Sequence, residues 1–205
     1  MKISKEKIMT TALELFSKYG YDAVSISAIA SKLGVSKGAL YRHYESKNDL
    51  FEAILDKVRN VDRENAESNS LPIDNDSEYY ISNLDDFIEF TIKQFQFYTL
   101  DEFGSAFRRV VVLEQFRNGE MIHLYQDIFL NGPIKYTQKV FNTLIKDNKI
   151  IEYDSYQLAL EFYSPFFTLL SLSDHTANKL ALVNELREIY KNFANKYGVK
   201  HEFNN

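Results

Sequence analysis

The chain has 205 residues, 45% of them hydrophobic and 26% charged, which is the composition of an ordinary globular protein. It contains no cysteine, which excludes a disulfide framework and a thiolate metal site, and its 3 prolines and 7 glycines favour long helices over a sheet with many turns. The N-terminus has no apolar run of signal-peptide length and no stretch approaches a ~18-residue membrane span. The lack of cysteine fits the expectation of a cytoplasmic protein.

The charge is divided unevenly along the chain. Residues 1–50 hold 8 Lys and Arg against 5 Asp and Glu, a net charge of +3, whereas the other 155 residues hold 16 against 24, a net charge of −8. A basic first part can bind a polyanion that repels an acidic remainder. The two parts are therefore expected to have different partners.

The first elements are predicted from apolar spacing and from the residues that end or begin helices. Residues 5–19 carry apolar side chains on one helical face, and Gly20 follows them as a glycine commonly follows a helix. Ser25 stands at the N-cap position of a second, short helix, which stops at Gly34.

Two further helices follow at once. Ser36 is the expected N-cap of a third helix over residues 37–44. Ser46 is the expected N-cap of a fourth, with Asp49 three residues later in a variant of the capping box.

The rest of the chain also has helical periodicity, and no segment shows the strict alternation of a strand. The polar stretch 65–76 is predicted to be a loop, and the Gly132-Pro133 pair is expected to kink or split one of the later helices. These later helices are predicted from about Asn83 onward and over residues 102–117, 120–147, 155–172 and 177–197.

Two short capped helices joined by Gly34 make a helix-turn-helix, and the second helix, from Lys37, is the one expected to enter a DNA major groove. Gly38 and Ala39 are small where the backbone must approach DNA. Lys37 can reach a phosphate or the acceptor edge of guanine.

Four more side chains around this helix suit the DNA backbone. Tyr41 and His43 can donate hydrogen bonds to phosphates, and Ser25 offers a hydroxyl at the other helix start. Lys47 stands at the beginning of the fourth helix, whose free N–H groups also attract a phosphate.

The stretch GYDAVSISAIASKLGVSKGALYRHYESKNDLFEAIL resembles the DNA-binding head of TetR-type (tetracycline-repressor-like) transcriptional regulators, and the likeness covers about residues 5–56. The residues that carry the likeness are, in order, a glycine followed by an aromatic, a hydroxyl cap, Ile-Ala, Gly-Val-Ser, Lys-Gly, Leu-Tyr and a Ser-Lys pair before a leucine. The resemblance implies an all-α homodimeric repressor of about nine helices. It would have a three-helix DNA-binding domain over residues 1–48, an effector-binding and dimerisation domain over 49–205, and no cofactor. The family's DNA contacts fall by position on Ser25, Ser36, Lys37, Gly38, Ala39, Tyr41, His43 and Lys47.

The resemblance also implies that the last two helices form a four-helix interface between two copies. Their apolar stripes support this expectation, because residues 155–172 are apolar around most of the helix and must be covered on two sides. The expected interface residues are Leu158, Phe162, Phe166, Leu169, Leu186, Ile189, Tyr190 and Phe193.

A small-molecule pocket is expected among the middle helices. Aromatic walls with a few polar tips suit a hydrophobic or aromatic effector, although aromatic residues at this spacing also form cores. The expected pocket residues are Phe90, Phe97, Tyr98, Phe107, Arg108, Phe116, Tyr125, Phe129, Tyr136, Phe162 and Phe166.

Two other classes of function remain open at this point. A helical enzyme would need a catalytic set, and none is legible; His123, His175 and His201 are isolated and show no metal-ligand spacing. A nucleic-acid-associated assembly or division factor could carry the same DNA-binding head without an effector, and would have a filled core where a regulator has a pocket. Activation in place of repression is also left open.

Overall fold

A computed structural model describes residues 3–69, 71, 83–117 and 119–199. Within these ranges the secondary structure is helical, with one isolated antiparallel bridge between Ile150 and Gly198. The ten helices described are α1 (Lys5–Tyr19), α2 (Ile26–Leu33), α3 (Lys37–Tyr41), α4 (Lys47–Ser68), α5 (Leu84–Thr99), α6 (Glu102–Glu114), α7 (Gly119–Phe129), α8 (Asn131–Lys146), α9 (Ser155–Leu172) and α10 (Lys179–Tyr197). The predicted all-α fold is confirmed.

The chain divides into two compact units. The head unit consists of residues 1–61 and 101–125, and the body unit consists of residues 62–100 and 126–205. The proposed domain boundary after residue 48 falls inside α4, which begins in the head unit and ends in the body unit. That the DNA-binding residues lie within residues 1–48 stays a prediction.

Side-chain caps explain where many helices begin. In each case a side-chain oxygen accepts a hydrogen bond from the backbone N–H three residues later, which satisfies one of the unpaired donors of the first turn. Beyond the helix-turn-helix, these caps are Ser4, Ser46, Asn83, Asp101, Asp154 and Asn178.

Several helix bounds differ from those predicted. The expected helix over 102–117 ends at Glu114, and α4 continues through Ser68 into the stretch predicted to be a loop. Most of the remaining predicted loop, residues 70 and 72–76, lies outside the described residues. The expected helix over 120–147 is split, which accounts for a tenth helix.

The split falls at the predicted pair. α7 ends at Phe129 and α8 begins at Asn131, so Pro133 lies in the first turn of α8, where its missing N–H costs no hydrogen bond. A Cβ atom on Gly132 would collide with the backbone carbonyl of Asp127. Glycine is therefore required for the close passage of the chain at this corner.

The core of the body unit is built from stacked aromatic rings. The ring of Phe162 stacks on that of Tyr190 with centroids 4.1 Å apart and also stacks on that of Phe87 at 5.1 Å. Phe141 stacks on Phe193 at 5.6 Å. Such pairs each add about 0.5–1.5 kcal/mol beyond the burial of their area.

This core changes the expectation for the dimer interface. Seven of the eight residues predicted to lie between two copies are buried within a single chain, because the apolar stripes of α9 and α10 face their own unit; the seven are Leu158, Phe162, Phe166, Leu169, Leu186, Tyr190 and Phe193. Only Ile189 is half-buried. The large apolar side chains that α9 and α10 leave exposed or half-buried are Tyr156, Leu160, Phe167, Leu172, Leu180, Leu182 and Ile189.

Within the described ranges, no helix is both long and apolar enough to cross a lipid bilayer.

Candidate DNA-binding surface and ligand cavity

The turn between α2 and α3 depends on the backbone of Gly34. Gly34 has φ 67° and ψ 30°, a left-handed conformation that a glycine adopts without a steric penalty. Its N–H donates to the carbonyl of Ser31, and the next N–H, that of Val35, donates to the carbonyl of Ala30 at 3.0 Å. No atom lies within 4 Å of the position that a Gly34 Cβ would occupy, so the backbone angle and not space selects glycine here.

Both short helices are capped as predicted. The Oγ of Ser25 accepts a hydrogen bond from the N–H of Ala28 at 3.1 Å, and the Oγ of Ser36 accepts one from the N–H of Ala39 at 3.2 Å. Both serines are exposed. Because a hydroxyl that accepts one bond can still donate its own proton, each serine can cap its helix and contact a phosphate at once.

The outward face of α3 is open to a partner. Lys37, Gly38 and Tyr41 are exposed, whereas Ala39 and His43 are half-buried. The Nζ of Lys37 lies 5.6 Å from the centre of the Tyr41 ring, so the cation and the aromatic side chain occupy the same patch. The structure brings all five side chains predicted for this helix and its end onto one short segment.

The opposite face of α3 is fixed in the head unit. Leu40 is buried, and so is Tyr44, whose hydroxyl donates to the carbonyl of Lys5 at 3.5 Å. This confirms that Tyr44 packs in the head unit, and that it does not contact DNA stays a prediction. The helix ends at Tyr41 and not at residue 44, because the N–H groups of His43 and Tyr44 both donate to the carbonyl of Leu40 in a tight final turn.

Lys47 has a structural contact that the sequence did not reveal. Its Nζ donates to the carbonyl of Tyr21 at 2.8 Å and lies 4.2 Å from the centre of the Tyr21 ring. A second carbonyl, that of Asp22, is 3.5 Å away. An ammonium group has three donors, so one remains for a phosphate. Lys47 thus combines a structural role with its predicted role at the DNA backbone.

Arg42 was not included among the predicted contacts. It is exposed and directly follows α3 as the helix C-cap residue. Its position between two predicted contacts, Tyr41 and His43, could have indicated a further phosphate contact, because a guanidinium there can reach the same strand of phosphates.

The body unit contains a cavity of about 220 Å³. Its walls come from the end of α4, from α5, from the α7–α8 corner and from α9. The lining residues are Asp62, Phe87, Phe90, Thr91, Gln94, Tyr98, Asp127, Ile128, Pro133, Tyr136, Thr137, Tyr163 and Phe166.

Four of the predicted pocket residues line this cavity, namely Phe90, Tyr98, Tyr136 and Phe166. Three others belong to the body unit but not to the cavity wall. Phe129 and Phe162 are buried in the core, and Phe97 is half-buried with its ring 5.0 Å from that of Tyr98. Periodicity alone could not separate rings that face a cavity from rings that fill a core.

The remaining four predicted pocket residues lie in the head unit and do not line the cavity of the body unit. Phe107 and Arg108 are buried, and Tyr125 is half-buried. Phe116 is 84% exposed, because α6 ends before it at Glu114.

Asp62 is the cavity residue that sequence reasoning missed. As a whole residue it is half-buried, but its Oδ1 is shielded from solvent and has no hydrogen-bond partner among the described residues. Burial raises the pKa of the Asp62 carboxyl to about 6, and a hydrogen bond from Gln94 limits the rise. A signal was present in the sequence, since Asp62 follows Phe51, Leu55 and Val58 at helical spacing and so falls on the apolar stripe of α4.

The described residues contain no group of three or more His, Cys, Asp or Glu side chains that could hold a metal ion.

Comparisons with known proteins agree with this geometry. A family profile described as "Bacterial regulatory proteins, tetR family" matches residues 8–54. The biofilm operon icaADBC negative transcriptional regulator IcaR of Staphylococcus aureus strain Newman is 27% identical over 169 residues, which cover 79% of this chain and 87% of that protein.

Solved structures share the fold over almost the whole chain. SmeT in complex with triclosan has a TM-score of 0.70 at 16% identity and covers 97% of this chain and 93% of its own. A transcriptional regulator from Saccharomonospora viridis in complex with choline has a TM-score of 0.67 at 20% identity and covers 96% and 98%. At these identities the likeness is one of fold.

The capped helix-turn-helix, the family profile that matches it and the similarity to the negative regulator IcaR together indicate a DNA-binding transcriptional regulator. Its head resembles that of the tetR family of bacterial regulatory proteins, whose profile covers residues 8–54, and its fold is that of the solved regulators.

Proposed function

We propose that the protein is a homodimeric repressor, acting in the cytoplasm, that leaves a palindromic operator when a small molecule enters the cavity of the body unit. The observation that carries this proposal is the pairing, in one chain, of an exposed reading face around Lys37 and a cavity in a separate unit. The description of IcaR as a negative regulator and the triclosan and choline complexes support it by analogy.

In DNA recognition, one set of groups would position the protein on the duplex and another would read the base sequence. Ser25, Ser36, His43 and Lys47 supply donors for phosphates, which fix the register of the protein on the duplex. Lys37 is the side chain on the face of α3 that is best suited to reach base edges. In a two-fold dimer, two copies of α3 would read half-sites about one helical turn, ~34 Å, apart.

The proposed dimer would form through the outward sides of α9 and α10. The apolar side chains available there are Leu160, Phe167 and Leu172 on α9 and Leu182 and Ile189 on α10. These replace the seven predicted residues that are buried within a single chain.

Release of DNA requires that the effector bind one conformation of the dimer better than another. Two helices pass from one unit to the other and can carry such a change. α4 holds Lys47 in the head unit and Asp62 at the cavity, and α7 starts in the head unit and places Asp127 and Ile128 at the cavity. Each tenfold loss of operator affinity requires about 1.4 kcal/mol of differential effector binding.

The cavity also favours a regulator over the alternative of an assembly or division factor with the same head, because such a factor would need no room for a ligand. Selection of random duplexes by the full-length protein at two salt concentrations tests the proposal. A palindromic site with a steep dependence of affinity on salt is expected. Enrichment of no sequence, or of a site without two-fold symmetry, would count against a dimeric repressor.

A further inference from the structure

Two residues of the cavity lining carry hydrogen-bond acceptors that no described residue satisfies. They are the Oδ1 of Asp62 and the Oε1 of Gln94, both shielded from solvent. Burial raises the pKa of the Asp62 carboxyl and an interaction with the Gln94 side chain lowers it in part, so the two side chains are neighbours, and the Gln94 oxygen can act only as an acceptor. Buried acceptors without donors are costly, so a site that keeps two of them side by side favours a ligand that brings donors.

The charge of the cavity wall has one sign. Its ionisable groups are Asp62 from α4, Tyr98 from α5, Asp127 and Tyr136 from the α7–α8 region and Tyr163 from α9, and the lining includes no Lys, Arg or His among the described residues. Asp127 is exposed and lies at the mouth, whereas Asp62 lies inside. Burial next to Asp62 raises the pKa of Tyr98 well above its ordinary value, so this hydroxyl stays neutral.

The rest of the wall is aromatic. The rings of Phe87, Phe90 and Tyr136 form a cluster with centroids 6.0 to 6.2 Å apart, and Phe166 and Tyr163 are stacked at 5.2 Å. Such walls accept an apolar body by contact and attract a cation through their ring faces.

From these observations we infer that the effector is an organic cation that carries at least two N–H donors, such as a primary ammonium or an amidinium, on an apolar body. This inference rests on the proposed function and names the chemical class of its ligand. The N–H groups donate to Asp62 Oδ1 and Gln94 Oε1, and the apolar body lies against the aromatic cluster.

Other ligand classes fit the cavity less well. An anion meets Asp62 and Asp127 with no cation in the described wall to offset them. A quaternary ammonium matches the charge but has no N–H group, so both acceptors stay unsatisfied. A neutral alcohol has a single donor and does not compensate the buried charge. A bare metal ion needs several ligands, and the described residues hold no group of three or more His, Cys, Asp or Glu side chains.

Isothermal titration of the full-length protein with four probes that share one apolar body tests the inference. The probes are phenylbutylamine, phenylbutyltrimethylammonium, phenylbutanol and phenylbutyrate. Near neutral pH we expect phenylbutylamine to bind at least about 10-fold more tightly than each of the others, from the strength of hydrogen bonds to charged groups.

Two variants locate the effect. Asp62→Asn keeps the shape of the side chain and removes its charge, and should weaken phenylbutylamine binding by about 10- to 100-fold while changing phenylbutanol binding little. Asp85→Asn, an exposed carboxylate in the first turn of α5 outside the cavity, should leave all four affinities unchanged. Circular dichroism verifies that both variants fold.

The inference is overturned if the trimethylammonium or the alcohol binds as tightly as the amine, if Asp62→Asn leaves amine affinity unchanged, or if none of the four probes binds. Operator release, measured separately by fluorescence anisotropy, keeps the two proposals apart. Amine binding that depends on Asp62 but leaves operator affinity unchanged supports the ligand class and contradicts release by the effector. Release by probes of every charge supports the repressor mechanism and contradicts the ligand class.

Discussion

The side chain of Glu114 at the end of α6 accepts a hydrogen bond from the backbone N–H of Tyr21 at 3.0 Å, across 93 residues of sequence. Glu114 is buried at 1% exposure, and Arg117 is its ion-pair partner at 3.5 Å. Gly20, at φ 87°, comes so close that a Cβ there would lie 2.8 Å from the same carboxylate oxygen. Because Lys47 holds the Tyr21 carbonyl, the turn before α2 is fixed through both backbone groups of one residue.

This geometry predicts an ordered series of stabilities for substitutions at Glu114. Glu114→Ala leaves the partly buried N–H of Tyr21 without an acceptor and should lower the free energy of unfolding by about 1–3 kcal/mol. Glu114→Gln keeps an oxygen acceptor and loses only the partly exposed ion pair with Arg117, so its cost should be smaller. Urea denaturation followed by circular dichroism measures both; equal stability of the Ala variant and the parent would contradict the proposed support of this turn.

Because Gly34 has a left-handed conformation, the stability of its variants should depend only on how well each residue tolerates that conformation. Open space surrounds the Cβ position, so a substitution causes no clash, but an ordinary side chain in this conformation costs about 1–2 kcal/mol. Gly34→Val should therefore lower the free energy of unfolding by about that amount, and Gly34→Asn by less, because asparagine tolerates left-handed angles. If thermal denaturation finds the two variants equal, backbone strain is not the cause.

Asp62 predicts a pH-dependent stability for the protein without effector. Its pKa is raised from 3.8 to about 6 in the folded state, so its ionised form destabilises the fold above about pH 6 and the penalty disappears as the pH falls toward 3.8. The full difference corresponds to about 3 kcal/mol. Asp62→Asn should raise the free energy of unfolding near neutral pH by up to this amount, and the gain should shrink with acidification. A gain that is constant with pH would rule out titration of Asp62 as its origin.

The helix-turn-helix was predictable because its signals are local. These signals are the serines at N-caps, Gly34 at the turn and apolar residues at fixed spacing, and each acts within a few residues of the chain. The structure has the serine caps and the glycine turn at the predicted positions. The contacts of Lys47 with the Tyr21 carbonyl and of Glu114 with the Tyr21 N–H join segments distant in sequence, which spacing does not encode.

The body unit was less predictable because many of its helices are apolar on more than one side. From sequence alone, the apolar stripes of α9 with Phe162 and of α10 with Tyr190 fit an interface and a core equally well. In the fold the two rings stack on each other within the core. The cavity depends on which aromatic rings leave space between them, and its wall combines residues of α4, α5, α7, α8 and α9 that lie far apart in sequence.

The proposed dimer predicts that charge on the outward side of α9 separates the copies. Leu160→Glu and Phe167→Glu together place two carboxylates among apolar side chains of the proposed interface and should convert the protein to a monomer. Asn184→Glu on the exposed side of α10 is the matched control and should stay dimeric. Sedimentation velocity at micromolar concentration measures both. A parent protein that is already monomeric, or a double variant that stays dimeric, would reject this surface.

The central claim is that the exposed face of α3 reads DNA, and the most direct measurement is the affinity of Lys37→Ala for the selected palindromic duplex at fixed salt. Lys18→Ala, in the last turn of α1 and outside the helix-turn-helix, controls for the loss of one positive charge. We expect Lys37→Ala to bind at least about tenfold more weakly than the parent protein, with reduced discrimination between the palindrome and a scrambled duplex, and Lys18→Ala to change affinity far less. Lys37→Ala binding the palindrome as tightly as the parent at the same salt would contradict the account.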